Sequence, residues 1–434
     1  MAKAVRCFVE SRIILRQNIW QHVIKVPPSF VCLHNVSPTM RPIREERAGK
    51  TCFSAMTELR ERPVAVILPD VAPARLKYMP QLDGLRAFAV VAVMFQHFYG
   101  SAVGIDLPVG EWGVQLFFVL SGFLITGILL NCRENADFGE ANAQRKLQLR
   151  QFYIRRALRI LPLFYLVVLG AALLNIRPIR EDLLWHLTYT SNILVAIKGS
   201  WPGPASHFWS LAVEEQFYLV WPWLILWLPT KYLRPAILTA IVVAPLSKVV
   251  GYAAGLGPIP LFVLTIACLD ALGIGALLAL YRQQKPELFN DLTRDERYNW
   301  LGFVAFGGAI LSCLFWQSHY FVQVAGTLAA TLFFAWLVHR AAVGFKGAPG
   351  RLLTWKPMLY LGQISYGLYI FHKFMTVIVP HVFGALRIPY PTEPVTQAVL
   401  LIAINIAVAS CSWYLFERPI NRLKQRFKYS GREW

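Results

Sequence analysis

The sequence predicts an all-α polytopic membrane protein of about ten transmembrane helices with both termini cytoplasmic. Three observations carry that prediction. Of 434 residues, 56% are hydrophobic and only 15% are charged, whereas a soluble globular chain carries about 25% charged residues. Apolar stretches of about 17 to 22 residues recur from residue 85 to residue 416, and each can cross a hydrocarbon core at about 1.5 Å per residue. The Lys and Arg residues are sorted by loop: with a cytoplasmic amino terminus, the inner segments hold 36 of the 43, and the outer loops hold only Arg177, Arg180, Lys198 and Arg387.

In chain order, residues 1–77 are basic and contain no apolar run able to span a membrane or act as a signal segment. They are expected to be a poorly ordered cytoplasmic extension or an over-called start, with Met40, Met56 or Met79 as alternative beginnings. A transmembrane domain is expected over 78–420. Its spans fall near 85–102, 114–130, 160–175, 209–228, 236–254, 261–281, 300–316, 320–338, 358–379 and 396–416. The stretch 183–197 carries Trp185, His186, Thr188, Tyr189, Thr190, Ser191 and Asn192, which is too polar for a span and suits an interfacial or re-entrant piece. Residues 421–434 form a basic cytoplasmic tail. The positive-inside pattern accounts for the net charge of +19 without nucleic acid, for which no binding motif appears. None of the predicted outer loops holds a pair of cysteines, so no structural disulfide is expected. No metal site is expected either.

An ionisable group at mid-bilayer costs at least about 2.5 to 3.5 kcal/mol, so each one needs a partner, a wet cavity or a function. In the first span Asp83 and Arg86 are spaced to pair on one helix face. His97 follows eleven residues after Arg86, about three turns, and shares that face. A polar stripe should therefore run from the cytoplasmic end into the outer half of the membrane. An imidazole at that depth is a candidate general base for an alcohol, the alternative being a histidine bonded to a neighbouring helix.

Glu214 and Glu215 lie about one turn inside the fourth span, between Ser210 and Tyr218. Two adjacent carboxylates there either neutralise a cation or hold a sugar hydroxyl. In the ninth span Ser365, Tyr369 and His372 are spaced to one side, with Tyr366 next to them and Glu417 near the end of the last span. These groups suit a polar cavity or an acceptor site, or else interhelical hydrogen bonding. Arg155, Arg156 and Arg159 precede the third span at the cytoplasmic surface. Paired guanidinium groups at i and i+3 suit a phosphate-bearing ligand, and they also suit a membrane anchor.

Six segments in order then resemble the acyltransferase-3 family of integral membrane acyltransferases. They are Leu82 to Ala87 with His97, Gly113 to Ile125, Arg155 to Pro162, His207 to Pro222, Leu361 to His372, and Phe416 to Pro419. The resemblance implies transfer of an acyl group, usually acetyl, from cytoplasmic acyl-CoA to a hydroxyl of a carbohydrate or related metabolite. It links His97 and Arg86 to activity, and Arg156 and Arg159 to the donor. Many relatives carry an added extracytoplasmic domain after the last span. This sequence stops about fifteen residues past Pro419, which implies a single-domain reaction. Two positions depart from the family pattern: Gln115 stands where aspartate is frequent, and Cys268 stands where arginine is common.

The expected function is therefore a membrane O-acyltransferase of the bacterial cytoplasmic membrane. Its partners would be membrane lipids, acyl-CoA as donor substrate and a carbohydrate or glycolipid acceptor such as a cell-surface polysaccharide or lipopolysaccharide. Acylation of a macrolide-like small molecule is the second enzymatic reading. A transporter and a non-catalytic partner in polysaccharide assembly are the readings from other classes. A transporter should show related halves with interrupted helices, which the sequence lacks.

Overall fold

The structure is a computed structural model that describes residues 78–100, 108–136, 141–314 and 320–429. The expectations made for 1–77 lie outside the described residues. All regular elements among the described residues are helical: α1 (Pro80–Phe95), α2 (Val109–Ala136), α3 (Ala141–Leu173), α4 (Leu183–Leu187), α5 (Ser191–Lys198), α6 (Phe208–Trp227), α7 (Thr230–Ala253), α8 (Pro258–Val263), α9 (Leu269–Gln284), α10 (Pro286–Asp291), α11 (Glu296–Leu314), α12 (Tyr320–Val343), α13 (Gly347–Leu353), α14 (Lys356–Gln363), α15 (Ser365–Ala385), α16 (Pro394–Ser412) and α17 (Arg418–Arg422). Wider π-turns extend α1 over Gln96–Gly100 and α16 over Trp413–Glu417.

Within the described residues eight of the ten apolar stretches each follow one helix, whereas 261–281 crosses α8, a 3-10 turn and α9, and 358–379 is broken at Ile364 between α14 and α15. Among the described residues seven helices are long and apolar enough to cross a membrane: those beginning at Val109, Asn142, Thr230, Thr265, Tyr320, Ser365 and Pro394. The other three stretches are weaker for identifiable reasons. Helix α1 has 16 residues and carries Asp83 and Arg86. In α6 a Glu pair and several aromatic rings dilute the hydropathy, and α11 starts on Glu296 and Arg297. The polar stretch 183–197 forms the short helices α4 and α5, neither of spanning length, with His186, Ser191 and Asn192 turned inward.

Local chemistry sets the ends. Pro80, Pro258, Pro286 and Pro394 stand in first turns, where a missing N–H costs nothing and the ring pre-sets φ. The Glu393 carboxylate caps α16, accepting from the Val395 and Thr396 amides at 2.9 and 2.6 Å. Gly199, at φ 57°, closes α5 in the left-handed conformation.

Helix α2 is the centre of the bundle: 72% of its apolar window is buried by protein, against 17% for the windows of α7 and α16. Its closest neighbour is α9. A Cβ on Gly122 would strike the Leu272 carbonyl, and one on Gly275 would strike the Val119 carbonyl. Reciprocal glycines thus let the two backbones touch, which is how helices associate in lipid, where apolar side chains gain little by leaving the solvent. Leu219, Val220, Trp223, Val242, Leu246 and Leu415 are exposed on the periphery, as lipid-facing positions would be.

Candidate active site

Five helices meet around a cavity of about 100 Å³ lined by both polar and apolar side chains. Arg86 enters from α1, Ser121 from α2, and Arg156 and Arg159 from α3. Helix α6 contributes Ser210, Glu214, Glu215 and Tyr218, and α15 contributes Ser365, Tyr366 and Tyr369. The helical period does this work. Arg156 and Arg159 lie three residues apart, as do Tyr366 and Tyr369, while Ser210, Glu214 and Tyr218 follow at intervals of four, so each set faces one way.

Next to this chamber a second cavity, of about 560 Å³, is lined by Tyr78, Asp83, Lys356, Tyr360 and Gln363. Arg86 and Arg159 line both spaces, so the two arginines belong to a wall that the cavities share. Asp83 holds the Arg86 guanidinium at 2.8 Å and accepts the Tyr78 hydroxyl at 2.7 Å. Burial and the Asp83 charge push the Tyr78 phenol up to about 12, so it remains a donor across the neutral range. Gly362 allows this arrangement, because a Cβ there would run into the Asp83 carbonyl.

Inside the chamber the hydroxyls and carboxylates form an ordered set. Ser121 donates to Glu214 at 2.6 Å and receives the Tyr218 hydroxyl at 3.0 Å. The Arg156 guanidinium lies 5.6 Å from the centre of the Tyr218 ring, a cation–π distance. Tyr366 donates to the Ile160 carbonyl at 2.7 Å, and the Ser210 and Tyr369 hydroxyls are 2.5 Å apart beside the His207 carbonyl. One Glu215 oxygen, Oε1, has no hydrogen-bond partner. Planar cationic forks and carboxylates thus line one cavity, which suits a ligand carrying both phosphate and neutral polar groups.

Other residues singled out in the sequence lie elsewhere. His97 does not line the chamber. It sits in the π-turn beyond α1, with Nδ1 3.1 Å from Nε2 of His372. Tyr369 walls the chamber, its ring is 5.4 Å from His372, and the His372 ring is 5.0 Å from His97. The polar stripe from Arg86 to His97 is therefore interrupted by the end of α15. Arg155 turns away from the cavity and donates to the Lys424 and Phe427 carbonyls at 3.0 and 3.2 Å, tying down the C-terminal segment. Glu417 is buried at the π-turn of α16, where it accepts from Ser412 at 3.0 Å.

The sequence reading gave no role to Ser121, which bonds Glu214, or to His207, which packs 4.8 Å from His372, ring to ring. A hydroxyl inside the apolar run of α2 was the available signal for the first. The histidine opening α6 was the signal for the second. Gln115 donates to the Thr327 carbonyl and the Thr331 hydroxyl at 2.9 and 2.6 Å, joining α2 to α12. Beside Cys268, the buried cation is Lys248 of α7, paired with Asp270 at 3.0 Å. Cys132, Cys268, Cys313 and Cys411 are free thiols. Among the described residues no group of three or more His, Cys, Asp or Glu is arranged to hold a metal ion.

Residues 79–414 match the sequence profile of the acyltransferase-3 type, described as an acyltransferase domain. The chain belongs to the acyltransferase-3 family. That acyltransferase domain contains every wall of the chamber. Two relatives are the peptidoglycan O-acetyltransferase OatA of Listeria monocytogenes, 29% identical over 80% of this chain and 56% of its own length, and the O-acetyltransferase OatA of Staphylococcus aureus, 29% identical over 80% and 58%. A Bacillus subtilis relative, provisionally named a peptidoglycan O-acetyltransferase, is 30% identical over 79% of this chain and 55% of its own length. The chain thus spans little more than half the length of these relatives. No solved structure matches it. Family membership and the apolar helices make it an integral membrane protein.

Proposed function

We propose that this protein is a membrane O-acetyltransferase that moves an acetyl group from cytoplasmic acyl-CoA to a hydroxyl of an exported or cell-surface carbohydrate. In this reading ten helices cross the bacterial cytoplasmic membrane, with both termini inside. The observation that supports it is the pair of neighbouring cavities that share Arg86 and Arg159 in their walls, because a charged donor needs a polar route into the bilayer and a cluster of permanent cations to hold its phosphates.

The chemistry is a direct exchange. The donor's phosphates sit against Arg86, Arg156 and Arg159, and its thioester reaches past Tyr369 toward His97. His97 takes the proton of the acceptor hydroxyl as that oxygen bonds to the thioester carbonyl carbon. The carbon–sulfur bond breaks, and the coenzyme thiolate leaves and recovers the proton. Glu214, braced by Ser121, orients the acceptor or the donor amide groups.

A second reading of the base has its own support. Glu215 lines the chamber and has an unpartnered oxygen, whereas His97 does not line it. In that case the hydroxyl proton goes to Glu215, and His97 belongs to the acceptor entrance. Purified protein in lipid nanodiscs, given radiolabelled acetyl-CoA and a cell-wall or exported oligosaccharide, tests the function. Acceptor-dependent label transfer is expected; a protein that folds, binds acetyl-CoA and never consumes the thioester would overturn it. His97→Gln and Glu215→Gln measured side by side separate the two bases.

A further inference from the structure

We infer that His372 is a positioning residue that fixes the tautomer of His97, leaving its Nε2 as the unprotonated, proton-accepting nitrogen. The inference rests on the acyl-transfer reading with His97 as base, and it adds to that reading the group that orients the base.

The argument follows from donors and acceptors. Nδ1 of His372 lies 2.6 Å from the Tyr369 carbonyl oxygen. A carbonyl can only accept, so Nδ1 of His372 carries the proton and donates it. A neutral imidazole that donates from one nitrogen offers a lone pair at the other. The lone pair of His372 therefore lies at Nε2, which faces Nδ1 of His97 at 3.1 Å. For that contact to be a hydrogen bond, Nδ1 of His97 must hold the proton, and the lone pair of His97 is then at Nε2.

The neutral form of His372 follows from its surroundings. The residue is 0% exposed, and among the described residues its ring makes hydrogen bonds only to the Tyr369 carbonyl and to His97. A cation there would be buried without a bonded carboxylate, at a cost of several kcal/mol. Its other neighbours do not supply one: His207, 4.8 Å away ring to ring, is itself tied to the Ile370 carbonyl at 3.1 Å, and Lys373 donates to Ser206 at 2.7 Å.

The helix supplies the rest of the device. His372 reaches back along α15 to a carbonyl three residues earlier, so its ring is fixed by its own backbone and packed against His207 and Phe98. His97, in a π-turn and only half-buried, also reaches the Val93 carbonyl of its own helix. The fixed imidazole of His372 and that carbonyl both accept, so together they hold the His97 proton on the nitrogen that faces them. In a catalytic triad a carboxylate performs this task; a neutral imidazole performs it here without placing a charge in the bilayer.

Two measurements test this. In protein carrying ¹⁵N-labelled histidine in nanodiscs, with resonances assigned by His97→Gln and His372→Gln, His97 is expected to show a pyrrole-like Nδ1 and a pyridine-like Nε2. A pyrrole-like Nε2 on His97 would overturn the inference whether or not the protein turns over acetyl-CoA. In the transfer assay, His372→Phe keeps the ring volume but removes the acceptor, and kcat is expected to fall about 100-fold with KM for acetyl-CoA unchanged. His372→Gln, whose side-chain oxygen can accept from His97, should recover most of that loss. Full kcat in a folded His372→Phe protein would sink the proposal. Absence of any turnover in the unaltered protein would instead sink the acyl-transfer reading and leave the tautomer to be decided by the spectra.

Discussion

The chamber holds three guanidinium groups and two carboxylates, and in the proposed reaction the guanidinium groups bind the donor while His97, outside the chamber, takes the proton. Arg156→Lys and Arg159→Lys keep the charge but lose the planar fork. Each should raise KM for acetyl-CoA roughly tenfold, about 1.4 kcal/mol of a charge-assisted contact, with kcat changed far less. Initial-rate kinetics in nanodiscs check this. His97→Gln should lower kcat by about 10² to 10⁴-fold, the usual contribution of a positioned general base, while Glu215→Gln falls by less than tenfold. Reversal of that order would transfer the base role to Glu215.

At the scale of elements, the α2/α9 crossing is the contact most sensitive to volume. Gly275 lies against the Val119 carbonyl, a backbone atom that cannot rotate away, so Gly275→Val should cost more than the usual 1 to 3 kcal/mol of an overpacked core, roughly estimated. The expected readout is loss of the monodisperse peak on size-exclusion chromatography and a lower melting temperature. Gly307, whose added Cβ meets nothing within 4 Å, should accept alanine with no such change.

The start of α16 responds to pH. Glu393 accepts from the Thr396 hydroxyl and from the amides of Val395 and Thr396, which hold its carboxyl below the usual carboxylate range. A folded pKa below the unfolded one means that the cap contributes fully above the unfolded value of about 4.3 and is lost as pH falls through the folded value. Hydrogen exchange at the Val395 and Thr396 amides, corrected for intrinsic rates, should therefore accelerate below about pH 4. In Glu393→Gln the corrected rates should not depend on pH.

For the whole molecule, the proposed topology assigns every loop to a side. Single cysteines introduced at Arg180 and Arg387 should react with an impermeant maleimide from outside intact cells, and one at Lys346 should react only after the membrane is opened. Labelling at 346 in intact cells would overturn a ten-span arrangement with inner termini.

Sequence alone determined the solvent of this protein and the identity of many polar groups that meet inside it. A bilayer makes both legible, since apolar length, loop charge and each intramembrane polar residue are under direct energetic constraint. Helical period also placed Arg156 with Arg159, and Ser365 with Tyr369, because neighbours three or four apart share a face whatever lies opposite. What lies opposite was decided only by tertiary structure. Arg86 and His97 share a face of one helix, yet α15 inserts Tyr369 and His372 between the chamber and His97. Arg155 looks equivalent to Arg156 in the sequence, yet one turns to the C-terminal segment and the other to the cavity. Period fixes direction along one helix, whereas a site is set by which faces of several helices close on one another, and that depends on contacts as small as a glycine against a carbonyl.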